Sequence, residues 1–218
     1  MGQVRFRSLG GEGRVRHTIE FLKGKKMTLT NESRNELFRH CIATLVYRAS
    51  KILRDAPENF AAFHNDAKSR TPVEILTHMG DLMDWALSMA KGKSVWHESI
   101  PLDWDREVAR FYDSVKQLDM YVASGTMIAC PLEKLFQGPV ADALTHTGQL
   151  AMLRRIAGVP IRGENYYVAD ILPGRVGPEQ SKPRKEFDEL NADCLCRKSA
   201  IINRINLVVN LPLALPEK

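Results

Sequence analysis

Apolar positions in the middle of the chain recur every three or four residues, the spacing of helices rather than strands. Asn31 or Ser33 caps a first helix whose inward stripe is Leu37, Cys41, Thr44, Leu45 and Ile52, and Pro57 interrupts it. Residues 58–70, with His64, read as a connection. Thr71-Pro-Val-Glu74 is a capping box with proline at the first helical position, so the spacing predicts a second helix from there, closed by Gly92. On it Ile75, His78, Leu82, Trp85 and Met89 share a face, while Asp81 and Asp84 fall on a solvated one. Asp103 opens a third helix, where Trp104, Val108, Phe111, Val115, Leu118 and Val122 approach the spacing of a bundle seam before Gly125. After a short turn around Leu132 to Phe136, Gly138 turns the chain into a fourth helix that starts at Pro139 and ends at Gly158. Four amphipathic helices without an alternating strand predict an all-α four-helix bundle over residues 27–165.

Two of these stripes carry polar groups that an apolar face does not need. At about 100° per residue, Asp142, His146, Gln149, Leu153 and Ile156 fall on one side of the fourth helix, with a carboxylate and an imidazole one turn apart. His78 projects from the second helix. If the two helices pack together, two histidines and a carboxylate converge from rigid elements and leave coordination positions open, which suits zinc, nickel or iron(II). Gln149 is placed to hydrogen-bond a ligand. The competing reading is structural: a lone helix-face histidine is more often a hydrogen-bonded core residue, and Asp142 would also be favoured in a first turn by the helix dipole. Arg154, Arg155 and the segment Arg162-Gly-Glu-Asn165 either line a mouth for an anionic substrate or are ordinary surface charge. His17, His40, His64 and His97 have no helix-spaced partner, Cys41 reads as a small core residue, and Cys194-Leu-Cys196 is a poor zinc site without further ligands.

Charge changes the picture mainly at the ends. The 218-residue chain carries a net +5, but residues 1–26 hold seven basic and two acidic side chains, so the remainder is balanced at 24 against 24. A neutral body gives no electrostatic footprint for nucleic acid. The glycine-rich first 26 residues read as a basic leader or upstream extension, with Met27 a natural start. Four cysteines without C-x-x-C spacing fit free thiols in a reducing cytoplasm, and no apolar run is long enough to span a membrane. Residues 166–218 form an irregular C-terminal extension; the many glycines and prolines of residues 159–183 suit a loop that folds back on the bundle and shapes the site.

The segments T-P-V-E-I-L-T-H-M-G-D-L-M-D-W and G-P-V-A-D-A-L-T-H-T-G-Q-L-A-M-L-R-R-I-A-G resemble the second and last helices of DinB/YfiT-like proteins, a superfamily of metal-dependent enzymes. His78 falls on the family's helix-two histidine and His146 on its helix-four histidine. Where the family usually has another histidine four residues earlier, this chain has Asp142, which changes the donor set and leaves zinc, nickel and iron open. The resemblance, over roughly residues 30–165, implies an often dimeric four-helix bundle that holds a divalent metal. Asn165 and Arg155 join Gln149 as candidate groups around the metal and substrate. Relatives include transferases and an isomerase that use a low-molecular-weight thiol, and hydrolases. The expected function is metal-dependent transfer using such a thiol on a small-molecule substrate. A hydrolase, a facial-triad iron oxygenase and a non-catalytic metal-binding stress protein are the alternatives.

Overall fold

The computed structural model of the protein describes residues 30–187. The readings of residues 1–26, of the end of the chain from residue 188, and of Cys194 and Cys196 lie outside the described residues. Within them the fold is all-α. Four long helices, α1 (Asn31–Leu53), α2 (Pro72–Ala90), α3 (Trp104–Ala123) and α5 (Ala141–Ile156), surround one core, with the single turn α4 (Leu132–Leu135) leading into the last. No strand occurs among the described residues beyond one isolated bridge between Glu164 and Glu186.

Helix boundaries follow the caps. Thr71 accepts from the Glu74 amide while the Glu74 carboxylate accepts from the Thr71 amide, completing the capping box of α2. Asp103 caps α3 through the Arg106 amide. The cap of α1 is Thr30, one residue ahead of Asn31 and three ahead of Ser33, the two expected; its hydroxyl accepts from the Ser33 amide. The inward stripe of α1 is also rotated from the expected one. Phe38, Ile42, Leu45, Val46, Ala49 and Ile52 are buried, whereas Leu37 is 58% exposed. They meet Leu76, Met79 and Met83 of α2 and Phe111, Val115 and Leu118 of α3, all fully buried. At about 25 cal/mol per Å² of apolar surface removed from water, each such side chain contributes about 1.5–3 kcal/mol.

The last helix departs most from expectation. Pro139 does not begin it. The chain is already helical from Leu132 and passes through a wider π-type turn, Phe136–Val140, with Pro139 inside it. Proline has no N–H to continue an α-helical ladder, and the turn absorbs the defect: the Ala141 amide reaches back five residues to the Phe136 carbonyl. The residue after Ala141 is Asp142, so the irregular turn fixes where α5 first presents a side chain.

Arg154, considered above as part of a substrate mouth, is buried structure. Its guanidinium donates to the carbonyls of Ile52 (2.6 Å), Arg54 and Asp55 and to Val159, satisfying the end of α1 where helical donors have run out. Beyond α5 the chain returns along α1. Val176 enters the core, and Glu164, its carboxylate fully buried, accepts from Tyr47 (2.6 Å) and Lys51 (3.0 Å). Burial and the neighbouring Glu164 charge push the Tyr47 hydroxyl well above its ordinary pKa.

Candidate metal centre

α2 and α5 bring His78, Asp142 and His146 together. One potential ligand atom from each lies within 4.8 Å of the other two. His78 Nε2 is 3.7 Å from Asp142 Oδ2, and His146 Nε2 is 3.5 Å from Asp142 Oδ1. The two imidazoles meet edge to face with centroids 4.9 Å apart. Ligands about 2.0–2.1 Å from a tetrahedral ion are about 3.4 Å apart; the two imidazole–carboxylate separations are near that value but reach different oxygens of Asp142, so the side chains would have to close in to hold one divalent cation.

The cluster lies at the rim of the core rather than on the apolar stripe that spacing suggested. The face of α5 that enters the core runs through Ala143, Thr147, Leu150 and Arg154. Asp142 is half exposed, Gln149 and Ile156 are exposed, and of that stripe Leu153 alone is buried. One side of the cluster therefore faces outward. Burial lowers the pKa of His78, and the neighbouring His146 and Arg70 lower it further, with Asp142 opposing them. The neutral imidazole that a metal requires is thus the favoured form near neutral pH.

Gln149 joins this arrangement directly. Its Oε1 is 2.8 Å from His146 Nδ1. A carbonyl oxygen only accepts, so Nδ1 carries the proton and Nε2 turns its lone pair toward Asp142. Arg155 and Asn165 are placed elsewhere. Arg155 is exposed and, nine residues after His146, falls on the opposite side of α5. The Asn165 side chain accepts from the Tyr167 amide, and its own amide donates to Lys185.

Aromatic side chains wall the cluster. Trp96 packs edge-on against His78 at 5.6 Å and against Trp85 at 5.7 Å, while remaining 45% exposed. The segment that carries Trp96, between α2 and α3, has no apolar period, and its one signal in the sequence was a tryptophan standing in a polar connection. Three side chains pin that segment. Ser88 Oγ accepts from the Val95 amide, Asp81 takes both the amide and hydroxyl of Ser99 (3.0 and 2.7 Å), and Glu107 takes the Leu102 amide. Asp81 is consequently not on a solvated face: it is 3% exposed. Arg110 ties the carboxylates together, donating to Asp81, Glu107 and the Thr77 carbonyl. Gly80 is what makes room for it, since a Cβ there would lie 2.8 Å from the guanidinium carbon. The expected exposure holds in part for Asp84, whose side chain is half exposed and 3.6 Å from Arg110.

Two cavities flank the three potential ligands. One, of about 390 Å³, has Asp142, Trp85 and Thr145 in its wall; the other, of about 190 Å³, has His78. The free thiols of the described residues open on different ones: Cys41 lines a groove with Leu37 and Phe136, and Cys130 another with Ile128. No helix among the described residues is long and apolar enough to cross a membrane. No family model, no curated protein and no solved structure matches this chain.

Proposed function

We propose that this chain is a divalent-metal-binding, DinB-like four-helix bundle in which His78, Asp142 and His146 hold the ion. The observation that carries the reading is the convergence of three potential donor atoms within 4.8 Å from two different helices. The half-exposed Asp142 favours an open, catalytic type of site over a closed structural one. When bound, a divalent cation would supply Lewis acidity that favours the thiolate of a small thiol or polarises an electrophile. Gln149 would hold the His146 tautomer, and Trp96 and Trp85 would limit access of water from their side.

The reaction we propose is group transfer from or to a low-molecular-weight thiol, acting on a small-molecule substrate. Support comes from the two described cysteines. Cys41 and Cys130 line other cavities, and burial raises the pKa of both, so neither is a ready nucleophile at this site. Among the described residues, then, none supplies the thiol, which favours one bound from solution. In keeping with the same resemblance we propose a homodimer, and in keeping with the free thiols a cytoplasmic one, that needs neither nucleic acid nor a membrane.

The test is metal content by inductively coupled plasma mass spectrometry on the wild type and on His146→Ala and Asp142→Ala, after reconstitution with zinc, nickel or iron(II). Near-stoichiometric metal in the wild type, lost in both folded variants, is the expected result, and its absence would withdraw the proposal. Turnover of an electrophile that requires both metal and added thiol identifies the transferase; turnover without thiol identifies a hydrolase instead.

A further inference from the structure

The cavity on the His78 side has a charge pattern that the three potential ligands do not explain. Arg70, Glu74, Asp81 and Glu98 all line it, together with Thr77 and Ser99. Two of these charges are already committed. Glu74 is engaged by both the amide and the hydroxyl of Thr71, and Asp81 by Ser99 and Arg110. Arg70 and Glu98 are exposed and, among the described residues, make no hydrogen bond or close ion pair, although the Arg70 charge acts on Glu74 and His78 at longer range. Both are nonetheless set on fixed backbone. Arg70 immediately precedes the capping-box residue Thr71, and Glu98 immediately precedes Ser99, which Asp81 holds twice. A cation and an anion lining one small polar cavity are the complement of a dipolar ligand.

We infer that this cavity is a binding subsite for the dipolar end of the substrate, a carboxylate seated on Arg70 and an ammonium seated on Glu98, as at the end of an α-amino acid. At about 190 Å³ the space is smaller than the roughly 300–1,000 Å³ of pockets that enclose a whole drug-sized ligand. It therefore takes an end group. Because His78 lies in its wall, the rest of the molecule would extend toward Asp142 and the second cavity. This placement rests on the metal-centre reading, whereas recognition of the dipolar end by Arg70 and Glu98 does not.

The experiment uses metal-free, full-length protein, so that no carboxylate can bind through an ion. L-alanine, propionate and ethylamine, which carry both charged groups, the carboxylate alone and the ammonium alone, are titrated while the backbone amide signals of Thr71 and Ser99 are followed by NMR. Saturable shifts with L-alanine are expected, with propionate and ethylamine each weaker by about tenfold or more, the usual effect of losing one charge-assisted contact. Arg70→Gln should abolish the preference for L-alanine over ethylamine, and Glu98→Gln the preference over propionate. Equal binding of all three probes, no saturable binding of L-alanine, or preferences unchanged in both variants would each overturn the inference. Zinc affinity, measured in parallel with a chromophoric chelator, should be the same in Glu98→Gln as in the wild type; Arg70→Gln, which removes a cation acting on His78, is not used as that control. Failure of zinc to bind any of the proteins would remove the metal centre and leave the probe result to stand by itself.

Discussion

Gln149 shows how one exposed side chain can govern a site. By accepting from His146 Nδ1 at 2.8 Å, it leaves Nε2 as the lone-pair nitrogen on the Asp142 side. Replacing the amide by leucine removes the acceptor without touching a potential ligand, so the imidazole regains both its tautomers and its rotation. Zinc affinity should fall by about 10-fold or more in Gln149→Leu, with little change in thermal stability. Competition with a chromophoric chelator measures the first and a thermal melt the second; unchanged affinity would make Gln149 a surface residue. Arg154 is the converse case, a charged residue that acts through the fold. Its guanidinium meets the carbonyls of Ile52, Arg54, Asp55 and Val159, and Arg154→Met would leave them without donors. A loss of about 2–3 kcal/mol in urea denaturation is expected, with metal content unaffected. Nothing in the sequence separates the roles of Arg154 and Arg155. Position relative to the end of a different helix decides them, and that is a tertiary fact.

Among the elements, α2 was the most legible, because its start is written in local chemistry. The Thr71 cap, Pro72 and Glu74 act within one turn, so no distant residue needs to be known. Thr71→Ala should cost about 1 kcal/mol. Acid should remove part of this contribution. The Thr71 amide and hydroxyl hold the Glu74 carboxyl below its ordinary 4.5, so the unfolded chain binds the proton first as pH falls. The stabilisation is thus complete above about 4.5 and is lost as pH drops through the lower, folded value. The gap in urea midpoint between wild type and Glu74→Gln should accordingly narrow from about pH 6 to about pH 3; a constant gap would show that the carboxylate contributes nothing through its charge. The start of α5 was illegible for the opposite reason. Gly138-Pro139 reads locally as a turn and a first helical residue, yet α4 is already helical and the π-type turn carries the helix through the proline. Packing of Leu135, Pro139 and Val140 into the core overrides the local preference. The segment with Trp96 escaped for a related reason: its three anchors, Ser88, Asp81 and Glu107, belong to the helices on either side, so no pattern within the segment reports them.

At the scale of the whole molecule, the helices carrying the three potential ligands and the segment after α5 are held by separate means. His78, Asp142 and His146 lie on α2 and α5, whereas residues 164–187 are fastened to α1, chiefly where Tyr47 and Lys51 meet the buried Glu164 and where Val176 enters the core. Lys51 also pairs with Glu186, so one lysine joins both ends of the returning segment. Removing one member of a buried charged pair costs about 3–5 kcal/mol where its partner is left unpaired; here Lys51 keeps Glu186, so the cost is smaller. In Glu164→Leu that cost need not fall on the whole domain: the segment can lift from α1 and return Lys51 and Tyr47 to water. Limited trypsin digestion should therefore cut at Arg175 and Arg184 in the variant much faster than in the wild type, before the four long helices are degraded. Zinc binding should be retained, because no potential ligand belongs to the segment. If metal is lost together with protease resistance, the returning segment supports α2 and α5 as well, and the helices and their extension form one cooperative unit. If neither changes, Val176 in the core and Tyr166 against Tyr47 and Arg48 suffice to hold the segment, and the buried ion pair stabilises a packing that these contacts already secure.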